Sequence, residues 1–160
     1  ITNMPGTCIG VSTADCVPVL FYDEHTGTTA AAHAGWRGTV ARIGRLTLAS
    51  LQEHYGTKAS DVQVVIGPSI GPEAFEVGDE VYEAFRDAYF PIDAITSRSA
   101  KWHIDLWQAN ALDLIDAGVP AESIQVTAVC TYTHYDRFFS ARRLGINSGR
   151  IFSGICLQIS

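Results

Sequence analysis

The sequence holds little of the chemistry that several large protein classes require. Among its 160 residues are only four cysteines, too few and too widely spaced for a secreted disulfide scaffold, which predicts reduced thiols. Acidic residues outnumber basic ones by 17 to 11, and a net charge of −6 argues against a phosphate-backbone partner such as nucleic acid. No apolar run approaches the roughly 20 residues that span a bilayer, and no charged-then-apolar leader begins the chain. We therefore expect a soluble, cytoplasmic protein without a membrane partner.

The size and composition of the chain predict one domain. Hydrophobic residues make up 47% of the sequence, enough to bury one sizeable core without disulfides. The chain starts at Ile1, without an initiator methionine and already in an extended-looking stretch. We expect a single domain over residues 1–160 that lacks an N-terminal segment.

The first third of the chain predicts a β-hairpin with an unusual end. Residues 7–14 and 17–22 are rich in the small, β-branched and aromatic residues typical of strands. A polar, glycine-closed turn follows, and residues 28–35 fit an antiparallel partner. Such a hairpin returns His33 to the end of the preceding strand at which Cys16 lies.

The remainder of the chain alternates irregularly between helical and strand-like patterns. Helices are predicted over 39–55, after Asp79 and from the Asp105 capping box, and strands over 62–67, 124–130 and 150–159. We interpret the last strand as part of a C-terminal hairpin-like ending. The fold class that follows is α/β (α+β), with mixed β-sheets covered by helices. The glycines match neither a dinucleotide-binding nor a Walker motif.

Cys16 and His33 have three interpretations. Thiolate and imidazole are good zinc ligands, and a hairpin that joins them makes half of a tetrahedral site. They are equally a nucleophile and base pair, in which His33 lowers the pKa of the Cys16 thiol. Alone, each residue is most often packed or hydrogen-bonded within the fold. Asp15, Trp36 and Arg37 gather at the same hairpin end, which favours a functional site there.

Two segments are candidates for binding an anion. Gly35 to Gly38 enter the first helix, where free backbone amides and the Arg37 guanidinium suit a phosphate. Ser140, Arg142 and Arg143 form the second candidate, although adjacent arginines are as often a solvated basic patch. The substrate- or phosphate-binding residues that we predict are Arg37, Ser140 and Arg143.

Seven motifs together resemble a known family. In order they are TADCVPVL (13–20), AAHAGWRGT (31–39), IGPSIGPEAFEVG (66–78), HIDLW (103–107), CTY (130–132), FFSARR (138–143) and GR (149–150). The sequence is similar in this pattern to the YfiH-type, or laccase-domain, proteins. These are regarded as zinc-dependent purine nucleoside phosphorylases with adenosine deaminase activity, and they have a layered α/β sandwich fold.

The resemblance implies a metal site and a pair of substrates. Cys16 and His33 fall on two of the family's zinc ligands, which makes them the predicted metal-binding and catalytic residues. The third family ligand is a histidine upstream of this stretch, so its source here is an absent N-terminal segment, His134 or another subunit. The implied partners are purine nucleosides, such as adenosine and inosine, and inorganic phosphate.

Three alternative functions remain beside this one. A copper-binding, laccase-like polyphenol oxidoreductase would need more than the five histidines and one methionine present, although copper is a reasonable alternative metal for a Cys and His pair. A Cys/His hydrolase would use Cys16 as nucleophile. A binding module with a structural zinc would need close CxxC pairs, which the sequence lacks.

Overall fold

The computed structural model describes residues 1–145 and 147–158. Nine strands lie within these residues: β1 (Cys8–Thr13), β2 (Val17–Asp23), β3 (Thr28–Ala34), β4 (Val62–Ile66), β5 (Glu76–Val77), β6 (Thr96–Arg98), β7 (Trp102–Ile104), β8 (Ile124–Val126) and β9 (Ile151–Cys156). The same residues contain six helices: α1 (Trp36–Val40), α2 (Ile43–Tyr55), α3 (Asp79–Asp87), α4 (Ile92–Ile95), α5 (Leu106–Asp116) and α6 (Ala141–Leu144).

The strands of the described residues form three sheets. The largest has the order β3-β2-β4-β8, in which β4 and β8 are parallel and the other neighbours antiparallel. β1 and β9 form a two-stranded antiparallel ribbon, and β5, β7 and β6 form a small antiparallel sheet. Mixed sheets packed with helices are the fold class that the sequence predicted.

The core lies between the largest sheet and the helices α2 and α5. Strand alternation sends every second side chain of β2, β3 and β4 to one face, and each of these is at most 4% exposed: Val17, Val19, Phe21, Ala30, Ala32, Ala34, Val62, Val64 and Ile66. Leu48 and Leu51 of α2 and Leu114 of α5 are buried in the same core. Each buried valine, leucine, isoleucine or phenylalanine among them contributes about 1.5–3 kcal/mol by leaving water. The intervening residues, His33 among them, belong to the other face.

The β2–β3 hairpin is confirmed, and its register positions the functional residues. Pro18 lies opposite His33 and Val17 opposite Ala34. Continued by one residue, this register brings Cys16 opposite Gly35, so Cys16 and His33 belong to the same face of the hairpin.

Two predictions about strands are wrong. β9 pairs with β1 rather than with β8, so the predicted C-terminal hairpin is not formed within the residues that the structure describes. β8 ends at Val126 instead of continuing to residue 130, because Ala128 has a left-handed φ of 52° that interrupts the strand.

The predicted first helix is divided, and it begins earlier than expected. Trp36 already starts α1, so the glycine-bracketed segment is a helical turn rather than a loop. Arg42 then separates α1 from α2 with a left-handed φ of 58°, and its guanidinium binds the Asp113 carboxylate and the Ala88 carbonyl. These partners are remote in the sequence, which is why local periodicity misses the break.

The predicted N-cap of α5 is confirmed, since the Asp105 carboxylate accepts from the Gln108 N–H at 2.9 Å. The reciprocal half of the capping box is not formed, because the Asp105 N–H donates to the Ile95 carbonyl at 2.8 Å. None of the described helices combines the length and apolar character needed to cross a membrane.

Candidate functional site

Cys16 and His33 both face the space above Gly35, which the Cys16 thiol partly fills. A β-carbon built on Gly35 would lie 2.8 Å from Cys16 Sγ and 3.9 Å from His33 Nε2. The backbone of Gly35, with φ −63° and ψ 171°, is accessible to any residue, so conformation does not require glycine there. The missing side chain leaves room in which the thiol and the imidazole nitrogen converge.

The surroundings of Cys16 hold its thiol in the protonated form. The side chain is half-buried, and burial raises its pKa above the ordinary value. The negative charge of Asp15 raises the pKa further, whereas the positive charge of Arg150 lowers it. A nucleophilic cysteine needs the opposite shift, so this environment argues against an activated nucleophile. A metal ligand must also become a thiolate, and there a bound cation takes the place of the proton.

Asp15 connects the cysteine to a distant part of the chain. Its buried carboxylate accepts hydrogen bonds from the Thr131 hydroxyl at 2.7 Å, the Ser140 hydroxyl at 3.0 Å and the Arg142 backbone N–H at 2.6 Å. Its backbone has a left-handed φ of 76°. The carboxylate therefore joins the corner between β1 and β2 to the segment before α6, and it orients the neighbouring Cys16.

A pocket of about 290 Å³ opens beside the thiol. It is lined by Ala14, Asp15, Cys16, Trp36, Ile70, Phe75, Leu106, Ala141 and Arg142. This volume is near the lower end of small-molecule sites, which are typically about 300–1,000 Å³. Apolar and aromatic walls with a few polar groups suit a planar, heteroaromatic ligand.

The three predicted phosphate-binding residues occupy different positions. Arg37 is exposed, with its guanidinium carbon 4.1 Å from the ring centre of the pocket residue Trp36. Ser140 is fully buried, and its hydroxyl donates to the Asp15 carboxylate and accepts from the Arg143 N–H at 3.3 Å. Arg143 is exposed and its guanidinium carbon lies 3.7 Å from the ring centre of Tyr135. Arg37 stacks on the pocket residue Trp36 and Ser140 hydrogen-bonds to the pocket residue Asp15, whereas Arg143 stacks on Tyr135, which does not line the pocket.

Two further arginines lie near the pocket. The sequence analysis included Arg142 in the second anion-binding candidate without keeping it among the predicted binding residues, and it assigned Arg150 no role. Arg142 lines the pocket and donates to the Glu76 carbonyl at 3.0 Å. Arg150 lies close enough to Cys16 to influence its thiol, because the β1–β9 pairing brings Ile151 opposite Thr13. The motifs FFSARR and GR contain both arginines, but only tertiary contacts distinguish them from neighbouring arginines.

The donors present supply part of a metal site. In residues 1–145 and 147–158, no three His, Cys, Asp or Glu side chains converge as a metal-binding group. Thus His134, which is exposed, does not join Cys16 and His33 in this structure. The thiolate and imidazole donors and the space above Gly35 fit a zinc ion that has at least one further ligand.

Comparisons with known proteins give relatives that match nearly all of this chain. The family model described as multi-copper polyphenol oxidoreductase laccase matches residues 1–158. The purine nucleoside phosphorylase of Bacteroides thetaiotaomicron is 54% identical over 161 residues, which cover 99% of this chain and 60% of that protein. Adenosine deaminase RL5, from an unknown prokaryotic organism, is 48% identical over 158 residues, 97% of this chain and 60% of the relative.

The solved structure of hypothetical protein YfiH from Bacillus licheniformis superimposes with a TM-score of 0.93 at 32% identity, covering 98% of this chain and 60% of that chain. This chain thus spans about 60% of the length of the relatives described. With nearly its whole length matched by one family model and its fold shared with YfiH, the chain belongs to the laccase-domain family of YfiH-type proteins.

Proposed function

We propose that this chain forms the substrate pocket and two metal ligands of a zinc-dependent purine nucleoside phosphorylase with adenosine deaminase activity. The observation that carries the proposal is the convergence of Cys16 Sγ and His33 Nε2 above Gly35, beside the pocket. The names of the two relatives, a purine nucleoside phosphorylase and an adenosine deaminase, support it.

Cys16 and His33 would hold the zinc in this proposal. When bound, zinc supplies Lewis-acid polarisation to the atoms beside it. A third ligand would come from outside the described residues, either from a segment of the longer protein or from another subunit. We favour zinc over copper for two reasons. A single site with one thiolate and one imidazole ligand suits zinc. A laccase-type multicopper centre needs more histidines than the sequence has.

The pocket residues would bind and orient the two substrates of phosphorolysis. A phosphate oxygen attacks C1′ of the ribose, and the purine leaves with the electrons of the glycosidic bond, so the protein must hold the anion in line. Arg142 in the pocket wall and Arg37 on Trp36 are the cations placed for this. Trp36 and Phe75 would pack on the purine.

The other two predicted anion-binding residues would contribute less directly. Ser140 would act through the Asp15 carboxylate, since its hydroxyl is buried in that contact. Arg143 would reach phosphate only by leaving its stack on Tyr135.

An assay of three reactions tests the proposed function. The zinc-reconstituted protein is assayed both as the 160-residue chain and as its full natural gene product. Inosine is tested with and without phosphate, adenosine is tested separately, and a phenol is tested under air. We expect inosine to give hypoxanthine and ribose 1-phosphate only when phosphate is present, and adenosine to release ammonia. The rates of these two reactions should not change when oxygen is removed. Oxygen-dependent phenol oxidation would support the copper alternative instead. Hydrolysis that chelators do not inhibit would support the Cys/His hydrolase.

Changing Gly35 to alanine tests the metal position itself. We expect zinc affinity to fall by about 10-fold or more, since a β-carbon 2.8 Å from Cys16 Sγ must displace the thiol. Thermal stability should change little, because the backbone at Gly35 accepts alanine. Gly44→Ala is the control, with its added β-carbon in ordinary contact with Leu114 at 3.5 Å. Equal zinc affinity in the Gly35 and Gly44 variants would show that the metal does not bind at this position.

A further inference from the structure

Two cysteines lie opposite each other at one end of the β1–β9 ribbon. Cys8 of β1 pairs with Cys156 of β9 in the antiparallel register. Both side chains are exposed, so the small-hydrophobe role that an apolar strand suggests does not apply to them. Directly opposite residues of an antiparallel pair have their side chains on the same face of the sheet.

The antiparallel register makes this a close pair. Directly opposite residues of an antiparallel pair have Cα atoms about 4.5 Å apart when the pair is not hydrogen-bonded and about 5.5 Å apart when it is. Disulfides span Cα separations of about 4.4–6.8 Å.

The surrounding face leaves the thiols free to turn toward each other. Cys8 Sγ lies 3.2 Å from the position that a β-carbon on Gly154 would take, so the absence of a side chain at Gly154 makes room for the sulfur. Cys156 Sγ donates to the neighbouring carbonyl of Leu157 at 3.4 Å, and thiols are weak hydrogen-bond donors. Rotation about one side-chain bond at each cysteine costs little.

We propose that Cys8 and Cys156 form an intramolecular disulfide when the protein meets a disulfide oxidant such as glutathione disulfide. One cysteine thiolate attacks glutathione disulfide and displaces one glutathione thiolate, giving a mixed disulfide. The second cysteine thiolate attacks the protein sulfur and displaces the other glutathione. Two protein thiols are oxidised, one glutathione disulfide is reduced to two thiols, and the protons go to the departing thiolates.

The crosslink would close almost the whole chain into a loop. Residues 9–155 lie between the two cysteines, and a loop of that length strongly restricts the unfolded state. The ribbon that it clamps ends at Thr13 and Ile151, next to the segments that carry Asp15 and Arg150. We expect the melting temperature to rise by about 10 °C on oxidation.

Oxidation followed by mass spectrometry tests this proposal. The reduced protein is treated with glutathione disulfide, and we expect the loss of two thiols, a linked peptide pair containing Cys8 and Cys156, and reversal by dithiothreitol. Cys8→Ser and Cys156→Ser should each abolish both the crosslink and the rise in melting temperature, and serine at these exposed positions preserves folding. Cys130→Ser is the control and should retain the crosslink.

Several results would overturn the proposal. They are four free thiols after treatment, separate glutathione adducts on the two cysteines, disulfide-linked dimers on a non-reducing gel, or a linked pair containing Cys16 or Cys130.

Discussion

Replacing Cys16 by serine or His33 by alanine is expected to lower zinc affinity, and with it phosphate-dependent nucleoside cleavage, by more than about 100-fold. Loss of a residue that only supports a metal ligand already lowers metal affinity or activity by about 10–100-fold, and loss of the ligand itself should cost more. Both donors face the space above Gly35, and neither change leaves a substitute donor there. Elemental analysis after zinc reconstitution and desalting gives the stoichiometry, and initial rates with inosine give the activity.

Two matched variants separate ligation from general damage. His25 is exposed in the turn of the same hairpin, so His25→Ala should retain full zinc and full activity. Cys130→Ser provides the equivalent control for loss of a half-buried thiol. Full zinc stoichiometry in the Cys16→Ser variant would contradict the proposed site. If the unmodified protein binds zinc fully but does not cleave nucleosides, that result would contradict only the proposed reaction.

Asp15→Ala is expected to lower the free energy of unfolding by about 3–5 kcal/mol, because each buried donor left without an acceptor costs about 1–3 kcal/mol. The change leaves the buried hydroxyls of Thr131 and Ser140 and the Arg142 N–H without their acceptor. It also puts alanine at a φ of 76°, which strains the backbone by about 1–2 kcal/mol. Thermal denaturation should show a fall of about 10 °C for a chain of this size.

The asparagine variant divides these causes. Asp15→Asn keeps one acceptor oxygen and tolerates the left-handed conformation, so its loss of stability should be clearly smaller than that of Asp15→Ala. Asp136 is exposed in the loop between β8 and α6, and Asp136→Ala should leave the melting temperature nearly unchanged. An Asp15→Ala protein as stable as the Asp136 variant would show that the carboxylate does not hold the segment before α6.

Local signals predicted the parts of the fold whose partners are close in sequence. The β2–β3 hairpin follows from alternating apolar residues and a glycine-closed turn. Its register then brings Cys16 and His33 to one face, and the α5 N-cap is equally local. In each case the physical determinant lies within a few residues, so the sequence around it is sufficient.

The roles of the predicted anion-binding residues could not be resolved in this way. Ser140 looked like a phosphate ligand because it adjoins arginines, yet its hydroxyl is buried against a carboxylate 125 residues away in sequence. Arg142 and Arg143 are adjacent and chemically identical, but one lines the pocket while the other stacks on Tyr135. The direction of the short helix α6 decides this, and no local pattern encodes it.

By itself, the sequence determined the mixed α/β class, the β2–β3 hairpin and the placement of Cys16 and His33 at one end of it. Only the tertiary structure decided that β9 pairs with β1, which brings Arg150 near Cys16 and Cys8 opposite Cys156. Contacts of this kind depend on closing loops of more than a hundred residues, and their stability comes from the assembled core rather than from any nearby residue. Periodicity and turn chemistry report only on the nearest neighbours along the chain, so the partners of a distant strand become visible only once the chain is folded.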